Sequence, residues 1–80
     1  MSKLSHLKWQ CRRGVKELDL VLSTYLQQHY TNASDKEQLA FRDLLQYEDP
    51  LLFDLLLGNV NLEDKNQILL IEKLQRLLRN

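Results

Sequence analysis

Apolar residues recur along the chain at the 3.6-residue period of an α-helix, and the breaks between periodic segments carry residues that stop and start helices. In a first segment, about residues 2–12, Leu4, Leu7 and Cys11 share one face. Gly14 follows as a left-handed helix stop. A second segment, about residues 15–30, places Val15, Leu18, Val21, Leu22, Tyr25, Leu26 and His29 on one stripe and ends near Asn32. Ser34-Asp35-Lys36-Glu37 then fits a capping box, with the Ser34 hydroxyl and Glu37 carboxylate serving reciprocal backbone N–H groups. Ala40, Phe41, Leu44 and Leu45 form the buried stripe of this third helix. Asp49 is expected as the N-cap of a fourth helix, with Pro50 at its first position and Gly58-Asn59 at its end. Asn61 is expected to cap a fifth, in which Glu63 and Asp64 suit the positive end of the dipole. Ile68, Ile71, Leu74, Leu77 and Leu78 line its inner face.

Composition supports this reading. Leu occurs 20 times in 80 residues, whereas Val, Ile and Thr together occur seven times. With two Gly and one Pro, that balance favours helices over a sheet. The expected fold is all-α: a compact bundle of five short helices forming a single domain over residues 1–80, with no repeat and no heptad run long enough for a coiled coil. A chain this short buries only about 60–65% of its unfolded surface, which leaves little room for an enclosed catalytic pocket.

Charge is balanced but unevenly placed. Residues 1–17 carry five basic side chains against one acidic, residues 18–64 two against nine, and residues 65–80 four against one. A basic head on an acidic body suits either an acidic partner or neutralisation between helices. Cys11 is alone, so no internal disulfide forms, which suits a reducing compartment. The first ten residues interrupt their apolar positions with Lys3, His6 and Lys8, unlike a signal peptide, and no apolar run approaches bilayer-spanning length. The expectation is a soluble cytoplasmic protein without membrane insertion.

Catalytic patterns are missing. His6 and Cys11, five residues apart, point about 140° from each other around a helix, so they do not make a nucleophile–base pair on one face. No HExxH, GxSxG, GxGxxG or Walker pattern is present, and the acidic residues are scattered rather than paired for acid–base work or metal binding. No helix combines Arg, Asn and Gln on one exposed face, so nucleic acid is not an expected partner. Ser34 sits in a capping context rather than a carrier-protein modification motif.

One stretch concentrates unusual residues at the first helix junction: Trp9, Gln10, Cys11, Arg12, Arg13, Gly14, Val15, Lys16, Glu17, Leu18 and Asp19. Local physics accounts for much of it, because Gly14 supplies a turn while the charges suit the two helix ends. A binding corner is the sharper reading. Two arginines beside a glycine set fork-shaped donors next to open backbone, Glu17 lies one turn beyond, and Trp9 offers an aromatic anchor.

At these residues the chain resembles the SdhE (YgfY) FAD assembly factors of succinate dehydrogenase and fumarate reductase. Their RGxxE signature stands here as Arg13-Gly14-Val15-Lys16-Glu17, preceded by Trp9, Cys11 and Arg12 and followed by Leu18-Asp19. A second element appears as Leu44-Leu45, Glu48-Asp49-Pro50 and Leu52-Phe53. The resemblance implies a non-enzymatic bacterial factor that binds the flavoprotein subunit and promotes covalent attachment of FAD to a histidine of that subunit, without binding the cofactor tightly itself. It implies a monomer when free. By the motif, Gly14 allows close backbone approach to the flavoprotein, Arg13 donates charge-assisted hydrogen bonds, and Glu17 reaches toward the flavin side. Arg12, Lys16 and Trp9 flank the contact. Two positions depart from the family, which commonly has an acidic residue after the Pro and a Trp shortly after the Phe. Leu51 and Leu55 stand there, and a more aliphatic partner contact is expected if they face outward. An antitoxin-like or cytoskeleton-interacting role, also attached to some members, is the alternative. A helical homo-oligomer using excess leucine as its interface is a generic third.

Overall fold

The computed structural model describes residues 3–79. Five α-helices follow one another: α1 (Lys3–Gln10), α2 (Lys16–Gln28), α3 (Asp35–Leu44), α4 (Asp49–Leu57) and α5 (Lys65–Arg79). A single 3₁₀ turn, Tyr30–Asn32, links α2 to α3. Helix α5 is the longest and the most central, packing against α2, α3 and α4, while α1 rests on α2. No helix among the described residues is long and apolar enough to cross a membrane.

The inner stripes meet in one core built around Leu18, Leu22, Tyr25, Phe41, Leu44, Leu52, Leu55, Leu70 and Leu74. Eleven of the twenty leucines are buried and five are exposed, so leucine serves mainly to fill this core. Tyr25 and Tyr30 pack their rings on Phe41, with centroids 4.6 and 5.6 Å away. Such tilted contacts add to the area the rings bury.

Several helix ends differ from the local pattern. Helix α1 stops at Gln10, although Cys11 continues its hydrogen bonding to Leu7 O at 3.0 Å. Ser2 lies outside the described residues. Leu4 is exposed, so the inner face of α1 reduces to Leu7, joined by Cys11 just beyond the helix. At α3, Ser34 Oγ accepts from Glu37 N–H at 3.2 Å, the expected cap. The reciprocal half of the capping box is not made: the Glu37 carboxylate accepts from Tyr25 OH and from Lys73 Nζ at 3.1 Å instead. Those partners tie α3 to α2 and α5, which a local backbone bond does not.

Asp49 is not the N-cap of α4. Glu48 occupies that backbone position, and Asp49 is the first helical residue. Helix α4 ends as expected at Gly58, whose φ of 83° lies in the left-handed region. Asn61 does not cap α5 either. Asp64 Oδ1 accepts from Gln67 N–H at 3.1 Å, placing the cap three residues later than expected. The inner face of α5 is accordingly Gln67, Leu70, Ile71 and Leu74, while Ile68 is 39% exposed. The condition attached to Leu51 and Leu55, that they face outward, is not met. Leu55 is 2% exposed and Leu51 packs against the core, so neither forms an aliphatic outer surface.

Candidate functional site

The junction between α1 and α2 is a turn of five residues, 11–15, flanked by two short stretches of helix. Its α1 side is held by bonds to α1 backbone, with Arg12 N–H donating to Trp9 O at 3.1 Å. Its α2 side begins at Val15, which offers no side-chain cap. Glu17 and Asp19 occupy the first turn of α2, where their charge suits the dipole.

Arg12 and Arg13 part company at this turn. Arg12 is exposed and lies over Trp9, its guanidinium carbon 5.8 Å from the ring centroid. Trp9 is itself 72% exposed, an unusual amount for the largest apolar side chain. Arg13 turns inward, with its side chain only 12% exposed. Its Nη2 donates to Leu45 O at 2.6 Å, and its Nη1 donates to Tyr47 O at 2.9 Å and to Asp49 Oδ1 at 3.3 Å. Leu45 is the C-cap of α3, where carbonyls lack helical partners and the dipole favours a cation. Arg13 thus joins the α3–α4 connection to the first junction, and the donor fork expected for a flavoprotein is used within the chain. Its buried Nε has no hydrogen-bond partner, so the planar fork works through its two terminal nitrogens.

The same Asp49 carboxylate takes up the glycine. Gly14 N–H donates to Asp49 Oδ2 at 3.0 Å. Gly14 does not adopt a positive φ, since among the described residues only Gly58 does. Its role is therefore not the left-handed stop read from the pattern. A Cβ at Gly14 would lie 3.6 Å from Asp49 Oδ2, an ordinary contact. Gly14, Lys16 and Glu17 are all exposed, so an outer apron of Trp9, Arg12, Gly14, Lys16 and Glu17 stands on an inner strut of Arg13 and Asp49.

An open groove of about 580 Å³ adjoins the apron. It begins at Trp9 and Arg12 and continues past Ser5 and Lys8 of α1 to Asp19, Ser23, Leu26 and Gln27 of α2. The pattern of the sequence singled out Trp9, Arg12 and Asp19 of this lining but not Ser23 and Gln27, which read as ordinary helix-surface residues. Asp49 was likewise missed as part of the corner. It lies 35 residues from Gly14, and its acidic neighbourhood reads locally as a helix start.

Cys11 has no exposed surface and its Sγ lies 3.7 Å from Leu22 O. Burial pushes its thiol up to about 11, with Arg13 pulling down and Asp19 pushing up more weakly. It is a core residue beside the corner rather than a reactive thiol. No three His, Cys, Asp or Glu side chains among the described residues gather to hold a metal.

Fold and corner together define a class: a small all-helical protein whose exposed polar apron is braced on a partly buried arginine–aspartate strut. Residues 5–78 match the family described as "Flavinator of succinate dehydrogenase", and the chain belongs to that family. It is similar to the FAD assembly factor SdhE of Coxiella burnetii, 38% identical over 71 residues, covering 89% of this chain and 87% of that one. Its similarity to SdhE of Haemophilus ducreyi is 44% over 55 residues, 66% of this chain and 67% of that one. SdhE of Yersinia pestis is 32% identical over 71 residues, 89% and 81% of the respective chains.

Proposed function

We propose that this chain is an FAD assembly factor: it binds the flavoprotein subunit of succinate dehydrogenase and promotes covalent attachment of FAD to a histidine of that subunit. The observation that carries the reading is the family match across residues 5–78, with the RGxxE residues Arg13, Gly14 and Glu17 at the braced corner. The flavoprotein subunit of fumarate reductase is a second client of the same corner. The chain is a bacterial cytoplasmic monomer when free and catalyses no bond-forming step. That chemistry belongs to the flavin and the flavoprotein.

The factor acts by favouring one arrangement of its client. Binding shifts a conformational equilibrium only through differential affinity, so the apron must fit the attachment-competent arrangement better than the others. Trp9 supplies rigid apolar area, Arg12 and Lys16 supply positive charge, and Glu17 supplies a carboxylate directed at the client's flavin side. Arg13 contributes from beneath, as the strut that holds the turn. FAD is cargo here rather than a resident cofactor. Gly14 N–H, the donor a phosphate would use at this turn, is already occupied by Asp49, which supports a factor that grips the protein and not the nucleotide.

Pull-down with the flavoprotein subunit, together with in-gel fluorescence of its covalent flavin, tests the reading. Gly14→Arg and Glu17→Ala are expected to weaken both signals while leaving the helical fold intact. If both variants bind and flavinylate like the parent, the corner is structural and the docking assignment is wrong.

A further inference from the structure

We infer that Asp49 is a positioning residue for the partner-binding corner: its carboxylate, shared between Gly14 N–H and the Arg13 guanidinium, sets the turn from which Arg12 and Glu17 are presented. The inference rests on the docking role proposed above. Both carboxylate oxygens are engaged by the same short turn, Oδ2 by the Gly14 backbone at 3.0 Å and Oδ1 by Arg13 Nη1 at 3.3 Å. Few local restraints compete with them. Val15 provides no side-chain cap, and Gly14 is not fixed by a left-handed conformation. Backbone bonds hold the turn at its ends, from Cys11 and Arg12 back to α1 and from Asp19 to Val15. At Arg13 and Gly14 themselves the bonds run to residues 45, 47 and 49, across more than thirty positions of chain. The orientation of Glu17, three residues beyond Gly14, therefore depends on an anchor in α4.

The RGxxE residues and the Glu48-Asp49-Pro50 element thereby act as one unit. Pro50 and the helical backbone of α4 stiffen the place where Asp49 stands. A carboxylate on a rigid helix start holds a mobile turn more firmly than one on a loop. The opposite role is also chemically defined: Asp49 could fill a carboxylate site meant for the client, in which case its removal would strengthen binding.

The test uses the full chain and the flavoprotein subunit of succinate dehydrogenase, with dissociation constants measured by calorimetry. Asp49→Ala is expected to weaken binding roughly tenfold, the scale of one lost charge-assisted contact. Asp49→Glu, which keeps the carboxylate, is expected to recover part of the loss. In an Arg12→Ala/Glu17→Ala background, Asp49→Ala should weaken binding by about twofold or less, because the groups being positioned are gone. A merely structural Asp49 would multiply the two losses instead. Unchanged or tighter binding by a folded Asp49→Ala overturns the inference, as does full multiplication. Should Asp49→Ala fail to fold, Asp49→Asn keeps a Gly14 acceptor while discarding the charge. Its Gly14 amide proton resonance is expected to move, and an unmoved resonance overturns the inference. The two claims fail differently. If Gly14→Arg and Glu17→Ala leave binding unchanged, the docking assignment falls and this inference with it. If they weaken binding and Asp49→Ala does not, this inference alone falls.

Discussion

Replacing each of two adjacent arginines by alanine should separate the strut of the corner from its surface. Arg13→Ala removes donations to Leu45 O, Tyr47 O and Asp49 at 2.6, 2.9 and 3.3 Å from a side chain that is 12% exposed. A hydrogen bond involving a charged group contributes about 1.5–3 kcal/mol net. Truncation lets water reach the freed carbonyls and the partly exposed Asp49, so the full sum is not lost, and about 2–3 kcal/mol is the expected cost. An 80-residue domain has roughly 4–12 kcal/mol of total stability, and each kcal/mol moves Tm by about 4–8 °C at this size. The expected fall is therefore about 8–24 °C, read as loss of helical circular dichroism on heating. Arg12→Ala removes only an exposed cation–π contact to Trp9, about 0.5 kcal/mol, and should lower Tm by about 2–4 °C. Its larger effect should appear in binding to the flavoprotein. Equal Tm losses for the two variants would refute the division of labour, because it follows from opposite burial of neighbouring, chemically identical groups.

Three further outcomes test the same physics. Gly58→Ala should cost about 1 kcal/mol because φ is 83°, whereas Gly14→Ala, unstrained and 3.6 Å from Asp49 Oδ2, should change Tm little. Thermal melts of the pair check this. Burial would raise the Glu37 carboxyl, but hydrogen bonds from Tyr25 and Lys73 outweigh it and hold the group below its ordinary value of 4.5. Its stabilisation is thus fully present above about pH 4.5 and is lost as pH falls through the lower folded value, so acid melts of Glu37→Gln should lose less stability than the parent. The Cys11 thiol, buried and pushed up to about 11, should resist alkylation at pH 8 in the folded protein and react once denaturant is added, as mass spectrometry would record.

Much of the fold is legible in the residue pattern. Period, stop residues and leucine excess are local properties, and they place five helices within a few residues of their observed bounds. Ser34 and Gly58 act as their chemistry suggests, because capping by a hydroxyl and a left-handed glycine needs no distant partner. The RGxxE residues are legible as a motif, and the family match extends over almost the whole chain.

Polar side chains with a choice of partner were decided by tertiary packing. Asp49 and Glu37 each stand where a helix start needs an acceptor, and each turns to a group more than ten residues away. Arg12 and Arg13 are indistinguishable in sequence, yet one lies over Trp9 in solvent and the other turns inward to the connection between α3 and α4. The reason is common to all of them. Helical period and caps act over three or four residues, whereas a partly buried charge takes whichever hydrogen-bond partners the assembled helices bring within about 3 Å. Those partners come within reach only once the helices have met.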